Sequence, residues 1–278
     1  MTASSDTGDL SEFRKNRVWE LDFLRGIALV MMMIMHFSYD VRYEFGFCAF
    51  AFLEDPWFRE FIHPVILLLF VGISGVCCSF SGNNLKRGLK LLIVSAGLTI
   101  ATLFITEYLG IYCLILFNVL HLLSVSILVY AFLTSAEKKI PGSGTDPRIK
   151  NAFSLIIGFI GLYIIVLNNN LSLYDYASDS PLLMPLGISV SNMPDVVDFM
   201  PIIPWMGIFL VGSVIGRTCY SEKRSLFPLP AASERKIPAI AGYALSVPEF
   251  LGKHSLSVYV IHQPVFYSIL YLIFSLPA

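Results

Sequence analysis

Seven stretches of this chain are apolar for about as long as a helix needs to cross a bilayer, and that constrains the fold more than anything else in it. They run near 22–41, 61–80, 89–106, 109–133, 151–167, 199–216 and 255–275. In hydrocarbon each backbone N–H and C=O must find a partner inside its own segment, so such runs fold as helices. Composition points the same way. The chain is 56% hydrophobic and 14% charged, where a soluble domain carries about 25% charged residues, and its mean hydropathy is +0.71. The expected fold is all-α: a polytopic integral membrane bundle of about seven transmembrane helices. Residues 1–20 read as a polar cytoplasmic tail and 21–278 as a single transmembrane domain. No short apolar core with a small-residue cleavage site precedes Leu21, so the first helix is expected to be an uncleaved anchor.

The charges give this bundle a direction. Basic residues gather around 14–17, 86–90, 138–150 and 217–253, while the opposite ends of the spans carry only Arg42 and Arg59. The positive-inside rule therefore puts the N-terminus in the cytoplasm, and an odd span count puts the C-terminus outside. A net charge of −1 gives no reason to expect a nucleic-acid partner; membrane lipid is the expected surround. Of the outer loops, 42–60 holds Glu44, Glu54, Asp55 and Glu60. It also holds an apolar run, Phe45–Leu53, too short to span and expected to be interfacial or re-entrant. The long 168–198 loop carries Asp175, Asp179, Asp195 and Asp198, no basic residue, and a glycosylation pattern at Asn170-Leu171-Ser172. Five cysteines without a C-x-x-C spacing read as apolar fillers, with no metal site expected.

Against this background the polar residues inside spans stand out. Arg25 and His36 share the first span, eleven residues apart. At about 100° per residue that brings both to one face, roughly 20° out of register and about 16 Å apart along the axis. A charge at mid-membrane costs roughly 2.5–3.5 kcal/mol on insertion scales, so such residues are functional candidates. Tyr39 and Asp40 follow His36 on its own face, and Asp40 is expected to hold the imidazole as a general base needs. Asp22, three residues before Arg25, is its expected ion-pair partner. Snorkelling of Arg25 and plain interhelical hydrogen bonding by His36 are the bland alternatives.

Further along, His121 falls mid-way in the fourth span with Asn118 one turn earlier, as interhelical glue or as site lining. His262-Gln263-Pro264 interrupts the last span. There proline removes a backbone donor and frees the Val260 carbonyl beside two polar side chains, which favours a cavity. In the sixth span Asp198 is a candidate N-cap, Pro201 fits a first turn, Pro204 is expected to kink the helix start, and Trp205 fits an aromatic belt or a substrate contact. No Walker loop, GxSxG elbow or HExxH pattern is present.

Several segments together resemble the heparan-alpha-glucosaminide N-acetyltransferase catalytic-domain family, and its short bacterial members in particular. They are Trp19-Glu-Leu-Asp22-Phe-Leu-Arg25-Gly, His36-Phe, Gly72-Ile-Ser-Gly75, Leu120-His121, Pro201-Ile-Ile-Pro204-Trp205-Met-Gly207 and Ser255-Leu-Ser-Val-Tyr259-Val-Ile-His262-Gln263-Pro264. An arginine followed within one helix by a histidine also resembles the first-helix motif of bacterial membrane O-acyltransferases. The resemblance implies an acyl donor, acetyl-CoA or another acyl-CoA, arriving from the cytoplasm, and a glycan or lipid-linked sugar acceptor met on the other side. It implies a multi-pass protein of the bacterial plasma membrane.

On that reading Arg25, with Lys86, Arg87 and Lys90, meets the CoA phosphates or the thioester end. His36 deprotonates the acceptor with Asp40 as its orienter. His121, His262 and Gln263 line the acyl channel or stabilise the developing oxyanion, alongside Asp22, Asn118 and Trp205 as lining residues. The lysosomal eukaryotic members keep their catalytic histidine in the loop after the first helix. Here the 42–60 loop has none, so the assignment to His36 rests on the O-acyltransferase pattern and on geometry. The chain is also shorter than the lysosomal enzyme, which makes a homo-oligomer an expectation. Two other classes compete: a transporter or flippase with a polar intramembrane path, and a haem protein using His36, His121 and His262 as axial ligands.

Overall fold

The computed structural model describes residues 18–143, 146–171, 177–191, 195–222, 224–227 and 247–275. The polar tail up to Arg17, and Ser172 and Asp175 of the second outer loop, lie outside the described residues. Among the described residues seven long helices are α1 (Trp19–Tyr39), α2 (His63–Cys78), α3 (Asn84–Phe104), α4 (Val119–Lys138), α5 (Pro147–Leu171), α6 (Ile202–Cys219) and α7 (Ser255–Ser275). With the turns that extend them, seven helical segments among the described residues are long and apolar enough to cross a membrane. π-helical turns lengthen α1 at Asp40–Glu44, precede α2 at Phe58–Ile62 and lengthen α3 at Ile105–Leu109. The strands among the described residues are two residues each, β1 (Ala177–Ser178) and β2 (Ser189–Val190), paired in parallel.

The helices form two compact units. One comprises the described residues up to Ile73 and from Tyr220 onward; the other is Ser74–Cys219. The division falls within α2.

In the second unit α3 packs on α4 and α5 on α6. The Asn83 side chain starts α3 by accepting the Lys86 N–H at 2.9 Å, satisfying one of the orphan donors of a helix start. The buried residues of α3, Gly88, Ser95 and Thr102, recur every seventh position, which keeps one face toward the partner helix. Their small size matters because lipid tails are as apolar as leucine. Close backbone approach then helps favour a neighbouring helix over lipid. The α5–α6 pair uses the same device. A Cβ on Gly207 would stand 2.5 Å from the Gly161 carbonyl oxygen, and one on Gly161 would stand 2.9 Å from that of Gly207.

Arg217, at the end of α6, closes this unit. Its guanidinium forks onto both carboxylate oxygens of Glu137 in α4, at 2.8 and 2.6 Å, and its Nε donates to Ser154 Oγ of α5 at 2.9 Å. The two charged side chains are only 8% and 10% exposed. The sequence counted Arg217 among the loop cations. Instead it is a buried clamp on three helices, with its donors matched to a carboxylate as burial demands.

Two helix starts differ from the sequence expectation. The fourth span was expected at 109–133, but α4 begins only at Val119. The apolar residues before it are non-helical, and their carbonyls serve another segment: Val197 N–H donates to Leu114 O at 2.8 Å and Met200 N–H to Phe117 O at 3.1 Å. In the sixth span Asp198 does not cap the helix. It has φ 55° and lies ahead of α6, which starts at Ile202. The break expected at Pro204 is present, with Ile203 at ψ 124° and a cis Ile203–Pro204 bond.

The first unit is organised around α1. Glu20, buried, accepts from Ser225 Oγ at 2.7 Å and Leu226 N–H at 2.8 Å, and Trp19 Nε1 donates to Phe227 O at 2.8 Å. Further along, Gly26 lies against the Pro248 carbonyl, and Gly252 lies against the Asp22 carbonyl, so closely that neither site has room for a Cβ. The Trp19–Gly26 motif therefore docks residues 224–227 and a helical stretch over 247–253 onto the start of α1. Beyond it α1 and α7 run parallel, matched at Phe37 with Phe266 (ring centroids 5.6 Å apart) and Phe45 with Tyr267 (5.6 Å). The apolar run Phe45–Leu53 folds back along α7, Phe47 resting on Phe274 with centroids 4.2 Å apart. Arg42 fastens this loop by donating to Glu54 (2.8 and 3.1 Å) and to the Ala49 carbonyl. That pairing holds the Glu54 carboxyl below the usual carboxylate range.

Candidate functional site

Six of the residues singled out from the sequence lie in the first unit: Asp22, Arg25, His36, Asp40, His262 and Gln263. The parallel pairing of α1 and α7 joins four of them in two rungs. In the first, His36 Nδ1 lies 2.9 Å from His262 Nε2. The ring planes are 17° apart with centroids separated by 5.1 Å, so the imidazoles meet edge to edge through their nitrogens. In the second, Gln263 Nε2 donates to both oxygens of Asp40, at 2.9 and 3.0 Å. Asp40 and His262 are 3% and 5% exposed; His36 and Gln263 are half-buried.

The first rung has a determinate proton arrangement. His262 Nδ1 lies 2.6 Å from the Tyr259 carbonyl oxygen, which only accepts, so that nitrogen carries a hydrogen. In a neutral His262 the Nε2 is then an acceptor, and His36 Nδ1 must be the donor across the 2.9 Å contact. What remains is His36 Nε2, a lone pair with no partner among the described residues. A proton taken up there leaves a cation held by a second imidazole and a backbone carbonyl. Phe37, Phe266 and Tyr259 surround the pair, with Phe266 edge-on to His262 at 5.8 Å between centroids and Tyr259 at 5.5 Å.

Asp40 was expected to orient His36. Both its oxygens are taken up by Gln263, and the group that fixes the His36 ring is His262. The reason is helical. Asp40 opens the π-helical turn Asp40–Glu44, and it meets the residue one position beyond His262 on the facing helix. Arg25 keeps its expected neighbour, with Nη1 3.9 Å from Asp22 Oδ1 and its side chain 15% exposed. It shares the uninterrupted helix α1 with His36.

Lys86, Arg87, Asn118, His121 and Trp205 belong to the second unit. Lys86 and Arg87 stand in the first turn of α3, Lys86 exposed and Arg87 half-buried. Asn118 and His121 are not mid-span, as the sequence had them; they form a capping box at the start of α4. Asn118 Oδ1 accepts the Leu120 N–H at 3.1 Å, His121 Nδ1 accepts the Asn118 N–H at 3.3 Å, and His121 Nε2 lies 3.2 Å from Thr99 Oγ1. Both ring nitrogens of His121 are thus occupied in starting one helix and tying it to another. Trp205 is half-buried, one residue past the cis Ile203–Pro204 bond.

The rungs between α1 and α7 were beyond the sequence analysis, although the His262-Gln263-Pro264 run was their signal. The haem reading fits poorly, since two imidazoles bonded to each other cannot take opposite faces of one macrocycle. Among the described residues no three His, Cys, Asp or Glu side chains gather as metal ligands.

Residues 17–264 match the family described as heparan-alpha-glucosaminide N-acetyltransferase, catalytic. No curated protein and no solved structure matches the chain.

Proposed function

The chain belongs to the heparan-alpha-glucosaminide N-acetyltransferase catalytic family, and from that premise we propose how it works as a membrane acetyltransferase. It takes an acetyl group from acetyl-CoA on the cytoplasmic side and passes it to a glycan or lipid-linked sugar on the opposite side. The observation that carries the reading is the imidazole pair. His36 Nε2 has no partner among the described residues, and its ring orientation and tautomer are fixed by His262 and the Tyr259 carbonyl.

As the acceptor oxygen or nitrogen attacks the thioester carbonyl, His36 Nε2 takes its proton. The new bond forms to carbon, the C–S bond breaks, and the imidazolium returns the proton to the departing CoA thiolate. His262 shares the transient positive charge across the 2.9 Å contact. Arg25, about 16 Å away along the same helix at its expected cytoplasmic end, meets the anionic part of the donor.

Protein reconstituted in liposomes with acetyl-CoA should release CoA only when an acceptor is supplied. His36→Ala should lower that release by about 10²–10⁴-fold, the usual contribution of a positioned base, with an unchanged melting temperature in detergent. Near-normal turnover in the variant would remove His36 from the mechanism. Solute uptake without CoA release would turn the reading into a transporter.

A further inference from the structure

Gln263 is tied down on one side only. Its amide nitrogen donates to both Asp40 oxygens, and a carboxylate accepts but does not donate, so Asp40 dictates which end of the amide faces it. The carbonyl end, Oε1, is thereby turned away from Asp40. It is sealed from solvent and has no hydrogen-bond partner among the described residues. A buried acceptor left unmatched costs the full desolvation of its lone pairs, so natural structures keep few of them. This one follows His262 in sequence and bonds to the residue one turn beyond His36. It stands on the helix pair that carries the imidazole rung.

Resting on the acyltransfer reading above, the structure assigns Gln263 Oε1 as the specificity-determining contact for the acceptor, receiving a hydrogen from a second O–H or N–H next to the group that is acylated. His36 Nε2 is committed to the reacting hydrogen, so it cannot serve the neighbour as well. The acceptor class is therefore a compound with two adjacent donors, a vicinal diol or amino alcohol such as a sugar ring presents, and not an isolated alcohol or amine. Asp40 is the positioning residue of this contact: it sets the amide, and the amide reads the substrate. A site that pairs a buried acceptor with a substrate O–H discriminates strongly against analogues lacking it, because the buried group is then left unpaired.

The test uses the full chain in liposomes with acetyl-CoA and two pairs of probes: trans-cyclohexane-1,2-diol against cyclohexanol, and trans-2-aminocyclohexanol against cyclohexylamine. The wild type should favour the two-donor probe of each pair by roughly ten- to a hundredfold in kcat/KM. Gln263→Met, which keeps the length and removes the acceptor, should bring each pair close to parity by slowing the two-donor probe alone. Asp40→Asn, which lets the amide settle either way round, should narrow the preference without abolishing it.

The same preference in the wild type and Gln263→Met would overturn the assignment. So would a raised KM for acetyl-CoA with acceptor preference intact, since Oε1 would then be taking an amide hydrogen of the pantetheine arm. Should Gln263→Met fail to fold, the Asp40→Asn result decides. Absence of transfer to any probe or glycan would remove the acyltransfer reading, and this inference with it.

Discussion

His121 and His262 show how the same side chain serves different ends according to what surrounds it. Each is a histidine in an apolar stretch, yet His121 has one nitrogen engaged in the start of α4 and the other against Thr99 of α3, while His262 passes its second nitrogen to His36. The difference predicts different losses. Asn118→Ala removes an N-cap worth about 0.5–2 kcal/mol and should lower the melting temperature while leaving per-molecule acyl transfer close to wild type. His262→Ala should do the reverse, with little effect on melting and a clear fall in kcat, since His36 loses the partner that fixes its tautomer. Parallel thermal unfolding and turnover measurements check both. Loss of activity in folded Asn118→Ala would return that pair to the list of site candidates.

Hydropathy and periodicity made much of this legible residue by residue. They identified His36, Asp40, His262 and Gln263 as polar groups inside spans, and put His36 and Asp40 on one face. What they could not supply was the partner helix. A helical repeat says which way a side chain points and nothing of what it meets, so Asp40 was assigned to its neighbour on α1 when its bonds go to α7.

Among the elements, contacts are closest where glycine removes a side chain. The fit of Gly26 against the Pro248 carbonyl involves backbone on both sides, so no rotamer change relieves a clash there. Gly26→Leu should cost about 1–3 kcal/mol or more, in the range of forced overpacking, and should loosen residues 247–253 in hydrogen-exchange measurements. Gly97 in α3 is the control, because nothing lies within 4 Å of where its Cβ would be; Gly97→Leu should leave the melting temperature unmoved. Equal effects of the two would show that helix propensity, not close approach, sets the cost. Element boundaries were the least legible part. The stretch ahead of Val119 is as apolar as a helix, and composition alone does not reveal that its carbonyls pair with residues 197–200.

For the molecule as a whole, the charge asymmetry leads us to propose a cytoplasmic N-terminus, and two exposed thiols allow a direct check. Cys48 lies in the loop after α1 and Cys219 at the end of α6, expected on opposite faces. In intact cells, a variant retaining only Cys48 should react with a membrane-impermeant maleimide. One retaining only Cys219 should react only after permeabilisation. The opposite pattern would invert the bundle, and with it the side from which the donor arrives.

The two rungs join α1 to α7 across 226 and 223 positions of sequence. A ribosome delivers α1 well before α7. The emerging chain therefore inserts α1 with His36 still apart from its partner, and the rungs close only once α7 has followed. On the acyltransfer proposed above, a chain stopped short of α7 would hold His36 without the partner that sets its tautomer.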